Sequence, residues 1–144
     1  MLFRSAQYLK KKVPSKLYQA FCNHTIYDRG CGLAKSQWKV SGVLTYIGGT
    51  TIKADAFATK ADGYFDGGMI ECSTDIRLII KHTTDTFIIH APFDSRAGLG
   101  STLLAYPGCD KSPGMCSSRF NNFQAHYLGH PYIPTRNPTT QGFK

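Results

Sequence analysis

The sequence predicts a mainly β domain, a small six-stranded barrel or sandwich with short flanking helices. Three observations predict it. Six short apolar runs lie between about Trp38 and Tyr106, turn signals separate them, and a cysteine pair stands on either side of the β region. Strand spacing alone leaves barrel and sandwich equally open.

The first section runs from Met1 to about Gln37. Pro14 splits it, and Ser15 is the N-cap expected for a short helix over Lys16 to Phe21. Cys22 to Cys31 reads as a loop, with Gly30 and Gly32 supplying the turn at its end. Trp38, Val40, Gly42 and Leu44 then alternate with their neighbours up to Ile47, which predicts a strand with Trp38 and Tyr46 on its core side. Gly48-Gly49 signals a hairpin turn and Thr50 to Phe57 the return strand. Gly67-Gly68 leads into a strand over Met69 to Ser73. Ile76 to His82, a turn at Thr83 to Asp85, Phe87 to Pro92, and Ser101 to Tyr106 complete the set.

The third section begins with Pro107-Gly108, a turn that delivers Cys109. Ser112-Pro113-Gly114 reads as a second turn before Met115 and Cys116. Ser117 or Ser118 is expected to cap a short helix through about Tyr127, with Cys116 just ahead of it. After Gly129 the residues Pro131, Pro134 and Pro138 predict an extended arm, with Tyr132 and Phe143 as its anchors. The organisation is one domain over residues 1–134 followed by an arm over residues 135–144.

The chain of 144 residues has the size of one domain, and its 42% hydrophobic content is enough for a packed core. No stretch approaches the roughly 20 apolar residues of a membrane span. Lys10, Lys11, Lys12 and Pro14 interrupt any apolar signal core, so synthesis in a reducing cytoplasm is expected. The net charge of +8 is spread along the sequence, with one dense run at Lys10, Lys11, Lys12 and Lys16. A solvated face accounts for that run, and the positive balance would also offset a negatively charged thiolate centre.

Four of the five cysteines form the candidate site. Cys22 and Cys31 flank the β region on one side, Cys109 and Cys116 on the other. Four soft thiolates suit zinc or an iron–sulfur cluster. Structural zinc sites favour pairs separated by two to four residues, and both gaps here are wider, which leans toward the larger cluster. Disulfides or unlinked buried thiols remain open on spacing alone, although an odd cysteine count leaves one thiol over. Cys72 falls on a predicted strand and reads as a buried core thiol.

The residues around these cysteines carry a resemblance. Leu17-Tyr18-Gln19, Cys22-Asn23-His24, Ile26-Tyr27-Asp28 and Cys31-Gly32 open the pattern. Gly63-Tyr64-Phe65, Gly67-Gly68 and Tyr106-Pro107-Gly108-Cys109-Asp110-Lys111 continue it. Cys116 with Arg119-Phe120 and Asn122, then Pro131-Tyr132-Ile133-Pro134, complete it. This resembles the C-terminal iron–sulfur domain of phage tail tip and baseplate hub proteins, found in the tail tip protein of phage lambda and in gene transfer agent hubs.

The resemblance covers about Leu17 to Pro134. It implies that Cys22, Cys31, Cys109 and Cys116 hold a [4Fe–4S] cluster, with zinc as the alternative. It implies a structural, non-enzymatic part of a virion tail tip, assembled in the host cytoplasm. Partners would be other tail tip, hub, tail-tube and fibre proteins, and a homo-oligomer, a trimer by analogy. Members of that family commonly carry a further domain ahead of this one, so the chain is expected to be a separately made subunit or a cut-out domain.

Other residues give weaker signals. His24 lies in the first cysteine loop, as a ligand, a supporting donor or a loop histidine bonded to backbone. His82 and His90 fall on predicted strands. His126 and His130 would form a metal pair only on a continuous helix, against which Gly129 argues. No protease-like signature surrounds any cysteine, so catalysis is not expected. The alternative function is a basic β-barrel that binds nucleic acid and carries a structural zinc site. It would stack bases on Trp38, Tyr46, Tyr64 and Phe65.

Overall fold

A computed structural model describes residues 16–94 and 97–133. The predicted N-cap at Ser15, the lysine run at residues 10–12 and the arm over residues 135–144 lie outside the described residues. The fold is a curled, seven-stranded antiparallel half-barrel. Its strands are β1 (Val40–Val43), β2 (Tyr46–Gly48), β3 (Thr51–Lys53), β4 (Met69–Cys72), β5 (Asp75–Thr83), β6 (Thr86–Ile89) and β7 (Thr102–Tyr106). They stand in the order β1-β7-β4-β5-β6-β3-β2.

The curl has two identifiable causes. β5 pairs with β4 through its first half and with β6 through its second, and the register shifts between Ile79 and Lys81. Such a bulge bends a strand and increases its twist. On the opposite side, the single strand expected from Trp38 to Ile47 is two strands. At Leu44 and Thr45 the chain changes partner: the Leu44 N–H donates to Ser101 O at 2.9 Å and the Thr45 N–H to Lys53 O at 2.9 Å. β1 thus belongs to the β7 side and β2 to the β3 side, which raises the strand count from six to seven. Trp38 precedes the strand, at the end of a 3-10 helix over Lys35–Gln37, and meets Phe120 edge-on at 4.9 Å. Tyr46 is half exposed rather than on the core side.

Alternation along the strands fills the concave face. Ile52, Ile70, Cys72, Ile79, Phe87, Ile89, Leu103 and Ala105 all point inward and are buried. Cys72 is therefore the core thiol that its strand position predicts, and burial raises its pKa. The segment expected to continue β3 to Phe57 instead turns into a 3-10 helix over Asp55–Thr59, which drops Phe57 into the barrel mouth. Phe57, Phe65 and Phe87 meet there, Phe57 lying 5.6 Å from Phe65 and 5.0 Å from Phe87 with rings close to perpendicular. His82 is also fully buried, between Phe65 and Phe87, with Nε2 at 3.0 Å from Thr84 O.

One close backbone crossing links the barrel to the cysteine end. A Cβ on Gly68 would meet Gly108 N and Phe65 O at 2.8 Å, and one on Gly108 would meet Gly68 N at 2.5 Å. Only two glycines let the 63–68 turn pass directly against Pro107-Gly108. The described helices are short: α1 (Pro113–Ser118) and α2 (Phe123–His126). α1 begins earlier than expected, because Ser112 is its N-cap and accepts from the Met115 N–H at 3.1 Å, with Pro113 in the first turn. Residues 16–21 form bends rather than the expected helix. Their backbone is spent on long-range pairing instead: the His130 N–H donates to Gln19 O at 2.8 Å.

Candidate metal centre

The half-barrel brings the two cysteine loops to one end. The first loop is organised by Asp28, whose carboxylate accepts from the Cys31 N–H at 2.6 Å and the Thr25 N–H at 2.9 Å. Those amides, that of Cys31 foremost, hold the Asp28 carboxyl below its usual range. His24 packs over Gly30 and lies 3.8 Å from Asp28, within the loop. Tyr27, in the left-handed region at φ 65°, donates from its hydroxyl to Pro107 O at 2.9 Å and so pins the residues just before Cys109. The Cys22 N–H donates to Lys111 O at 2.9 Å, which joins the first loop to the second directly.

The second loop is a chain of local turns. Asp110 accepts from the Ser112 N–H at 2.8 Å, and Ser112 then caps α1. Cys116 sits within α1 and is buried, not ahead of a helix as expected. The Arg119 guanidinium lies over the Tyr64 ring at 4.9 Å and donates to Tyr64 O at 3.0 Å, so the far end of α1 is fastened to the barrel.

All five cysteines are free thiols. Cys22, Cys31, Cys109 and Cys116 lie within electrostatic reach of one another, and Cys72 stands apart in the core. Burial first, then the charges of Cys109, Cys22 and Cys31, push the Cys116 thiol up to about 11. Burial likewise raises Cys109, with Cys31 and Cys22 adding to the shift. The end of the molecule therefore gathers four thiols, and ionisation of any of Cys22, Cys31 or Cys109 disfavours that of Cys116. Two sulfurs already accept backbone N–H groups: Lys111 donates to Cys109 Sγ at 3.3 Å and Leu128 to Cys22 Sγ at 3.4 Å. Neither donor is a glycine of the cysteine loops. Glycine serves close packing here instead.

The donor chemistry fits a thiolate-held centre. Four thiolates on one zinc ion, each at about 2.3 Å, would sit about 3.8 Å apart. Among the described residues, no three His, Cys, Asp or Glu side chains converge on a position where one ion would be held. The four thiols sense each other's charge, yet they do not close on a single point. His126 and His130 do not pair: His126 ends α2 and bonds Asn122, whereas His130 stacks on Tyr18 at 4.3 Å. His90 is exposed. Phe65 is completely buried, and Trp38 is engaged with Phe120, so neither is a platform for stacked bases.

No curated protein matches the sequence. In fold, the chain is similar to a chain in the virion of a native gene transfer agent particle, with a TM-score of 0.70 and 18% identity. That likeness covers 94% of this chain and 50% of the other, so the chain spans about half the length of that virion protein. Cys109 and Cys116 lie within a family match over residues 63–137, and Cys22 and Cys31 lie before it. Because that match takes in more than half of the sequence, the chain belongs to the family described as phage conserved hypothetical protein BR0599.

Proposed function

We propose that this phage protein is a structural component of a virion tail tip or baseplate hub that binds a [4Fe–4S] cluster through Cys22, Cys31, Cys109 and Cys116. The observation that carries the cluster reading is the gathering of four thiols at one end, with N–H donors already aimed at two sulfurs. A cluster is larger than one ion and takes thiolates spread wider than a zinc tetrahedron. When bound, it supplies metal–thiolate bonds that cross-link the loop at residues 22–31 with the loop at residues 109–116. The role is structural and not catalytic, since four-thiolate ligation leaves no open position for substrate.

The setting is supported by the phage family and by the fold likeness to a gene transfer agent virion chain. A second feature suits a part that packs against neighbours in a tail. Ile76, Leu78 and Ile80 stand on the convex face of β5, each more than half exposed, with Ile88 of β6 beside them. Apolar stripes of this kind mark surfaces that other proteins cover. Other tail tip, hub, tail-tube and fibre proteins, and further copies in a trimer, are the proposed neighbours. Among the described residues no helix is long and apolar enough to cross a membrane.

Anaerobic purification followed by iron, zinc and acid-labile sulfide analysis tests the cluster. Iron and sulfide in equal amounts, with a broad visible absorption, are expected. Stoichiometric zinc without sulfide would overturn the cluster in favour of the zinc site, and two disulfides in freshly made protein would remove any four-thiolate centre. Ile80→Lys tests the assembly surface. It should leave the melting temperature within about 2 °C of the parent, because the site is on the surface. Incorporation into particles should fall sharply, and normal incorporation would exclude the β5 stripe as a packing face.

A further inference from the structure

Asn122 stands at the N-cap of α2, a position where asparagine normally accepts a backbone N–H of the first turn. Here it makes no such bond. Its side chain, 8% exposed, points instead into the first cysteine loop. Nδ2 donates to Cys31 O at 2.6 Å and lies 3.9 Å from Cys31 Sγ. Oδ1 faces His126 Nδ1 at 2.9 Å.

The two ends of the amide fix each other. A flipped amide would set Oδ1 against the Cys31 carbonyl oxygen, where two acceptors repel. His126 Nδ1, one turn on, is the donor that suits Oδ1. The His126 ring can approach only because Gly32 has no side chain: a Cβ there would meet Nε2 at 2.6 Å, and Gly32 is in the left-handed region at φ +70°. Cys31 is thereby held from both sides, by Asp28 at its N–H and by Asn122 at its carbonyl and sulfur.

We infer that Asn122 is a positioning residue for the Cys31 thiolate, with His126 as its lock, and that it tunes the metal centre through an N–H directed at sulfur. This inference rests on the cluster reading above. A hydrogen bond to a ligating sulfur withdraws charge from it, which raises the reduction potential and slows loss of the metal. Asn122→Asp replaces that donor with a negative oxygen of the same shape. His126→Phe keeps a ring over Gly32 and removes only the donor to Oδ1.

The test uses the full chain, purified anaerobically with its cluster, and two readouts. In Asn122→Asp the reduction potential falls and cluster loss to an iron chelator speeds up about tenfold or more; His126→Phe shifts both in the same direction by less. The second readout needs no cluster. In reduced, metal-free protein, Cys31 of Asn122→Asp is alkylated by iodoacetamide about threefold or more slowly than in the parent, while Cys109 is unchanged. Parent-like potential, chelator rate and Cys31 alkylation in Asn122→Asp would overturn the inference. If Asn122→Asp fails to fold, His126→Phe decides by the same measurements. Protein that carries no cluster sinks the cluster reading by itself, and Cys31 alkylation then decides the role of Asn122 alone.

Discussion

Cys116→Ser is expected to abolish the visible chromophore and to lower the melting temperature by roughly 10 °C or more. Cys116 is buried within α1, where a serine hydroxyl is a poor substitute for a thiolate ligand. Loss of one of the four proposed ligands would leave an incomplete coordination shell. The energetic stake is the long crosslink. Tying the loop at Cys22 and Cys31 to the loop at Cys109 and Cys116 closes most of the barrel sequence into one ring. By analogy with a disulfide across a loop of that order, closure by a bound cluster would contribute about 4 kcal/mol, much of which Cys116→Ser would forfeit. Cys72→Ser is the matched control. Cys72 is buried in the β core, away from the other four, and its substitution should leave the chromophore intact. Retention of full absorbance in Cys116→Ser, or its loss in Cys72→Ser, would show that the ligand set is wrong.

Phe65→Ala should destabilise the fold by about 3–5 kcal/mol, measured as a shift in the urea midpoint without a change in slope. The ring is fully buried and sits 5.6 Å from both Phe57 and Phe87 and 4.9 Å from His82. Removing it opens a cavity in the centre of this aromatic set. The surroundings have little room to collapse, because the Phe65 carbonyl is fixed by the Gly68 N–H at 2.9 Å in the crossing beside Gly108. A loss below about 1 kcal/mol would mean that the three phenylalanines are not one packed unit.

How much of this was legible in the residues varies with the range of the interaction. β4, β6 and β7 were readable because alternation places Ile70 and Cys72, Phe87 and Ile89, and Leu103 and Ala105 on one side. The corner at Leu44 and Thr45 was not, because neither residue is a turn former and the bend comes from a change of partner strand. The 3-10 helix over Asp55–Thr59 was hidden for a related reason. Ile52 and Ala54 keep the strand period, whereas Phe57 stands three residues after Ala54 and off it, and its partners Phe65 and Phe87 come only later in the chain. The start of α1 was legible and misread: Ser112 followed by Pro113 is a helix signal as much as a turn signal. The four cysteines were visible as a set. Asn122 and His126 were not, since their partners at Cys31 and Gly32 lie across the whole barrel and no local spacing announces them.

The pairing of the two ends of the fold has a consequence for how such a unit is used. Asn23 bonds Leu128 through both backbone and side chain, and Gln19 O accepts from His130. The first and last described segments therefore run side by side, next to Cys22. A module with this geometry can hang from a larger protein by one stalk, and a neighbouring segment can be lengthened, exchanged or detached without rethreading a single strand.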